Sequence, residues 1–543
     1  MSQDWQEIVK TTRDKLAAAV DAVEVEHEVD ERVVDATKVS LEGVLSAEQL
    51  EITEESVGGI LDKLAKGECS AAVVLDAFCR RAIVAHKYTN CLTDIFFDKA
   101  RERAKFLDDE LKKTGKVVGP LHGLPVSLKC QIDVEGLPVN MGYVGWTERV
   151  AKKNAVLVDI LLKSGAIIYC YTNVPQALMS GETINNLYGR TVMPRNRNLS
   201  SGGSSGGEGA LVGFKGSPIG VGSDIGGSIR IPSAFNGVYG LRPSYNRIPY
   251  GGATNSMEGF EAIPSVLGPI STTIDGLKTF FRAVVDAEPW RYDPFALHVP
   301  WRQGMYDLEE HNGGKALCFG LMSSDGVVKP TPPVLRGLEM VKAALEAQGH
   351  TVIDYCPPNA DVGGEIINAL FSADGGKDIQ EFVALSGEPT LHGVMDPNRS
   401  EISTLEYWRL CLRRRDFITE QLNAWEATSS RTGTGRPIDA LIAPPAPYTS
   451  FTHDAQQYIG YTAMFNLTDQ SVGIVPVTTV QDSDVKAEPH EFKSEFDKVN
   501  YERYDPKVFA GAPVAVQVVG RKGEEEAVLR MTEICDAALK AAK

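Results

Sequence analysis

SSGGSSGGEGALVGFKGSPIGVGSDIGGS, residues 200–228, is the stretch on which the reading of this chain turns. It holds 11 glycines and 7 serines in 29 positions, whereas glycine supplies only 51 of the chain's 543 residues. A flexible linker is the plain explanation of such a composition. Two features oppose it: Ser217–Gly222 has strand character, and apolar Ile229-Arg230-Ile231-Pro232 follows at once. Clustered glycines let backbone N–H groups approach a ligand closely, and N–H groups gathered before a helix stabilise negative charge. Ile225-Gly226-Gly227-Ser228 supplies such a row. The phosphate-loop patterns GxxxxGK[ST] and GxGxxG are absent from the stretch. The other candidate is an oxyanion hole beside a serine nucleophile.

A serine nucleophile needs a base. Gly203-Ser204-Ser205-Gly206-Gly207 formally matches G-x-S-x-G, but a run this rich in glycine produces that match by chance. The later histidines, His298, His311, His350, His392, His453 and His490, sit in polar settings expected of surface or turn residues. His122, in Leu-His-Gly-Leu-Pro, reads as part of a structural loop. Lysine is the other base that serves a serine. Lys129 ends the apolar, strand-like segment Pro125–Lys129, and burial there favours the neutral amine that accepts a proton.

Two segments carry a family resemblance: GGSSGGEGALVGFKGSPIGVGSDIGGSIRIPSAFNGVYGLRPS at 202–244 and LHGLPVSLK at 121–129. The chain resembles the amidase signature hydrolases, and within them the fungal acetamidases, almost from end to end. Further segments of likeness are MGYVGW (141–146), ETINNLYGRTVMPRN (182–196), NSMEGFE (255–261), EPWRYDP (288–294) and GAPVAVQVVGR (511–521). The mammalian fatty acid amide hydrolases look like more distant relatives. The resemblance implies a Ser–cis-Ser–Lys triad: Ser228 as the acylated nucleophile, Ser204 as the bridging serine after a cis peptide, Lys129 as the base. It implies N–H groups of Ile225, Gly226, Gly227 and Ser228 as the oxyanion hole, and Leu178 and the Met141–Tyr143 loop near the substrate pocket. Ser205, Asp224 and Arg230 match supporting polar residues. Tyr461 and Phe465 are guesses for the pocket wall, set against ordinary core packing. No cofactor or metal is implied.

Many family members carry an acidic residue just after the lysine, where this chain has Cys130 and Gln131. The substrate the resemblance suggests is a small aliphatic or aryl amide, with carbamates and esters open to the same chemistry. Three other readings stand beside it: a glutaminase subunit of an amidotransferase, an α/β-hydrolase esterase using Ser205, and a non-catalytic binding protein.

The rest of the chain fits a large globular enzyme. Hydrophobic residues are 43% and charged residues 23% of the composition. A net charge of −17 disfavours nucleic acid and anionic membrane as partners. Nine cysteines without a CxxC pair do not make a disulfide framework, and no signal peptide or 18-residue apolar run is visible, so a cytoplasmic location is expected. The sequons at Asn198, Asn398 and Asn466 are then chance matches. Oligomeric state, monomer or homodimer, is left open.

Residues 1–115 read as a helical extension, with a capping box at Ser46-x-x-Gln49 and amphipathic helices over Ser70–Lys87 and Asp98–Lys113. From there to residue 543 strands, turns and helices alternate without a linker. Ala316–Met322, Val334–Ala347 and Thr351–Tyr355 form a strand–helix–strand unit, which predicts a parallel pair. Other expected strands are Ala166–Cys170, Leu441–Ala443, Gly473–Val477 and Pro513–Val519. This texture fits one large α/β domain over 116–543 carrying the helical extension, and the family resemblance implies the same: one large twisted mixed sheet covered by helices on both faces, with the extension packed on it.

Overall fold

Short apolar runs rich in Val and Ile are the strands. The computed structural model describes residues 4–391, 393–394, 400–455 and 457–542; His392 and the sequon at Asn398 lie outside these. Eleven strands form the main sheet: β1 (Leu92–Ile95), β2 (Pro125–Lys129), β3 (Ile167–Thr172), β4 (Ile219–Asp224), β5 (Tyr239–Arg242), β6 (Val266–Ser271), β7 (Cys318–Leu321), β8 (Thr351–Asp354), β9 (Ala440–Ala443), β10 (Val472–Thr479) and β11 (Pro513–Val519). Their order across the sheet is β1-β3-β2-β4-β6-β5-β10-β11-β9-β7-β8. Pairing is mixed. β3, β2 and β4 run parallel, as do β9, β7 and β8, and antiparallel pairs join the two groups.

Every residue of β2, β3, β4, β6 and β11 is buried, so both faces of the sheet are covered there. Helices supply the cover, the last of them Glu525–Ala541, whose Val528, Met531 and Leu539 are buried. The strand–helix–strand unit is found as Cys318–Leu321, Pro332–Ala347 and Thr351–Asp354, with the strands parallel. All nine cysteines are free. Among the described residues, no helix is long and apolar enough to cross a membrane.

The first 115 residues carry the α-helices Trp5–Asp21, Ala47–Glu54, Val57–Lys66, Ala71–Thr89 and Phe97–Thr114, but they are not helical throughout as expected. Residues 22–46 are turns and irregular chain around a single 3-10 turn at Ala36–Lys38, and Leu92–Ile95 pairs antiparallel with Ile167–Thr172 as the edge strand of the sheet. A four-residue strand lies below the length at which periodicity separates strand from helix, and only its partner reveals it. The capping box is present at Ser46 and Gln49. The helix Ala71–Thr89 is capped twice at its start: Ser70 accepts from Val73 N–H, and Asp108 on the following helix accepts from Ala71 and Ala72 N–H at 2.7 and 3.1 Å. These bonds satisfy first-turn donors that the helix itself cannot. Asp108→Ala is therefore expected to lower stability by about 1–2 kcal/mol, read as a lower denaturant midpoint. An unchanged midpoint would refute the cap.

Candidate active site

Three adjacent parallel strands and one turn of helix gather the polar groups. Lys129 is the last residue of β2 and is fully buried. Its Nζ lies 2.7 Å from Ser204 Oγ and 2.7 Å from Ser223 Oγ. Ser204 follows a cis peptide bond from Gly203 and leads into the helix Gly206–Gly213. Ser223 stands near the end of β4, the neighbour of β2. Burial pulls the Lys129 ammonium down to about 7, although the carboxylates of Asp224 and Glu208 act the other way. The neutral amine is thus well populated at neutral pH.

Glu208, on the same short helix, lies in a socket of the sheet. Its Oε2 accepts from Ser127 Oγ at 2.6 Å, and its Oε1 from Thr172 Oγ1 at 2.9 Å. Gly220 on β4 leaves room for it, since a Cβ there would lie 1.8 Å from Oε2. Burial pushes the Glu208 carboxyl up to about 8, against the pull of the two hydroxyls and Lys129.

The loop after β4 is built around Asp224. Its Oδ1 accepts from Gly227 N–H at 2.9 Å and its Oδ2 from Ile229 N–H at 3.1 Å. Arg230 grips both carboxylate oxygens, through Nη2 at 2.9 Å and Nε at 3.0 Å. Asn466 donates to Oδ1 at 2.8 Å, and Arg230 donates in turn to Thr462 O. Gly227 has φ +135°, and a Cβ there would stand 2.3 Å from Thr462 Oγ1, so the loop requires glycine on two counts. Among the described residues the N–H groups of Ile225, Gly226 and Ser228 have no acceptor in the protein, whereas that of Gly227 is committed to Asp224. Ser228 is the most accessible of the three triad candidates, 9% exposed against 2% for Ser204, and among the described residues its hydroxyl makes no hydrogen bond. Its carbonyl accepts from Ser205 N–H at 3.2 Å, which ties the nucleophile candidate to the Ser204 segment.

Known proteins are similar to this chain over most of its length. The amidase family model matches residues 73–529. The acetamidase of Emericella nidulans is 43% identical over 542 residues, 98% of each chain, and that of Aspergillus oryzae is 41% identical over 93% of each. A solved fatty acid amide hydrolase is 30% identical and superposes with a TM-score of 0.89, covering 99% of this chain and 95% of the other. The chain belongs to the amidase signature family. It is an amide hydrolase.

In this amidase Leu178 lies in the turn Gln176–Leu178, where it and Ala177 both have φ +62°, and Met141 has φ +49°. Non-glycine residues hold this conformation only where the surroundings impose it. Here Ala177 N–H donates to Met141 O at 3.2 Å, and Ser256 Oγ, bonded to Tyr143 OH, donates to Ala177 O. Glu388 ties the same region together, accepting from Val144 N–H, Gln176 Nε2 and Asn186 Nδ2. The turn and the Met141–Tyr143 loop are therefore neighbours, and Ser180 O packs against Gly203.

Tyr461 and Phe465 belong to the hydrophobic core, and Tyr461 OH is anchored on Val328 O at 2.6 Å. Ile459 and Phe371 stand over the loop instead: their nearest atoms are 3.5 and 3.9 Å from where a Cβ on Gly226 would be. Sequence reasoning also misses Ser223 and Glu208, and it names Gln131 only as a departure from the family pattern. Ser223 is one of seven serines in the stretch 200–228, so residue type alone does not set it apart.

Ser205 is fully buried and bonds to the backbone of Ser223, and among the described residues no histidine bonds to Ser204, Ser205 or Ser228. His311, His453 and His490 pair with Asp439, Glu182 and Asp497 elsewhere. Among the described residues no three His, Cys, Asp or Glu side chains come together to hold a metal ion.

Asp224→Asn would leave Arg230 buried without its counter-charge. The expected loss is about 3–5 kcal/mol, read by thermal or chemical denaturation. Burial raises the Asp224 carboxyl, but Arg230 and the other donors outweigh it and hold the group at about 2, below its ordinary 3.8. A depressed carboxylate stabilises the fold above its unfolded value, so this contribution is complete above about pH 4 and fades as pH falls toward 2. The variant should flatten the stability profile in that acid window; a parallel profile would refute the clamp.

Proposed function

We propose that this amidase hydrolyses small carboxylic amides through an acyl-enzyme on Ser228, with Ser204 as proton relay and Lys129 as base. The observation that carries the reading is the fully buried lysine hydrogen-bonded to Ser204, together with a Ser228 hydroxyl that makes no hydrogen bond among the described residues.

Neutral Lys129 takes the proton of Ser204 Oγ, which takes that of Ser228 Oγ as the latter attacks the carbonyl carbon. The oxyanion that forms meets the open N–H groups of Ile225, Gly226 and Ser228. The N–H of Gly227, already shared with Asp224, is the least available of the four. Such donors act where charge develops, and losing one costs about 3–4 kcal/mol of transition-state stabilisation. Collapse of the intermediate breaks the C–N bond. The proton on Lys129 returns through Ser204 to the departing nitrogen, leaving an ester on Ser228 and free ammonia or amine. A water molecule, deprotonated by the same relay, attacks the ester, releases the acid and restores Ser228.

Small acyl groups are favoured by the acetamidases at 43% and 41% identity. Ile459 and Phe371 border the Gly226 side of the loop, at ordinary van der Waals distance from where a Cβ there would stand. A buried Ser205 without a histidine partner does not favour the esterase reading.

Ammonia release from purified enzyme over primary amides of increasing chain length is expected to be fastest for the shortest acyl groups; equal rates for long chains would overturn the substrate assignment. Ser228→Ala and Lys129→Ala should each lower kcat/KM by several orders of magnitude with the fold intact, and a fluorophosphonate should label the Ser228 peptide. Full activity in either variant would sink the mechanism. The acid limb of kcat/KM should have its midpoint near 7, activity rising with pH as Lys129 loses its proton.

A further inference from the structure

Gln131 occupies the region after the lysine where many family members carry an acid, and its contacts determine what Ser223 can do. Gln131 Nε2 donates to Thr254 O at 2.9 Å and is 3.3 Å from both Asn255 Oδ1 and Tyr250 OH. With the amide nitrogen held on that side, Gln131 Oε1 faces Ser223 Oγ at 2.5 Å. An amide oxygen only accepts, so the single proton of Ser223 goes to Gln131. Ser223 can then offer Lys129 nothing but a lone pair, and the 2.7 Å contact between them carries an N–H of the lysine. A neutral amine has one lone pair, and with an N–H drawn to Ser223 that lone pair remains for Ser204, 2.7 Å away. Were Ser223 free to rotate, its O–H would compete with Ser204 for the same lone pair.

We propose that Gln131, acting through Ser223, is a positioning residue that keeps the lone pair of Lys129 turned toward the Ser204 proton. The inference rests on the reading of Lys129 as base. The charged or titratable groups around the lysine are Glu208 from the helix Gly206–Gly213 and Asp224 from β4, the latter paired with Arg230; Tyr250 faces Gln131. Gln131→Leu leaves Glu208, Asp224 and Arg230 unchanged; it removes the acceptor for Ser223 and the amide's own bonds, that to Tyr250 OH among them.

The test is steady-state kinetics against pH for Gln131→Leu, Ser223→Ala and Ser223→Thr, with rates expressed per mole of Ser228 labelled to completion by a fluorophosphonate. Lys129→Ala serves as control. Gln131→Leu should lower kcat about tenfold, the scale of one neutral hydrogen bond, with KM little changed. Its acid limb should move to lower pH, because a Ser223 O–H donated to the amine favours the neutral form. Ser223→Ala should lose kcat to a similar extent, and Ser223→Thr, which keeps the hydroxyl, should recover it. An unchanged kcat in Gln131→Leu overturns the proposal, as does a lower kcat with an unmoved acid limb, which would mark a structural role. Substantial activity in Lys129→Ala would instead overturn the base assignment on which the proposal stands.

Discussion

Everything distinctive in this amidase depends on keeping one lysine out of water. An amine in solvent is protonated at neutral pH and has no lone pair to give. Lys129 is drawn toward the neutral form because β2 carries it into the covered centre of an eleven-stranded sheet, where desolvation penalises the cation. The same burial makes each remaining polar contact strong, and the lysine has two hydroxyl partners rather than water.

Burial of one charge type would destabilise the region unless other groups offset it, and the surrounding sequence supplies them. Asp224 and Arg230 form a closed ion pair whose oxygens also organise the N–H groups of the following loop. A single carboxylate thereby ties together the end of β4, the glycine-rich loop and the start of the helix Arg230–Asn236. Glu208 contributes a second acid in a socket that only glycine at position 220 permits. The glycines of the 200–228 stretch therefore serve close packing between backbone and polar side chains, not chain flexibility.

Much of the site is legible in the amino-acid sequence. Lys129, Ser204 and Ser228 stand out because the glycine/serine motif and the upstream lysine occur together, and most strands emerge from short runs of branched apolar residues. What is not legible has a common cause: it depends on residues that acquire meaning only through a neighbour distant in sequence. β1 is a strand because β3 pairs with it. Tyr461 packs in the hydrophobic core with its hydroxyl on the carbonyl of Val328, while Ile459, two residues earlier, reaches the loop.

By itself, the sequence determined the chemistry available: a serine-rich, glycine-rich loop, a lysine ending an apolar strand, and the family those motifs identify. Only the tertiary structure decided how these groups are used. It brought Ser223 between the lysine and Gln131, left the Ser228 hydroxyl without a partner among the described residues, and committed the Gly227 N–H to Asp224. The physical reason is that proton affinity and hydrogen-bond direction are properties of surroundings. A residue's type names the atoms it brings, and the packing around it decides which of them are free to react.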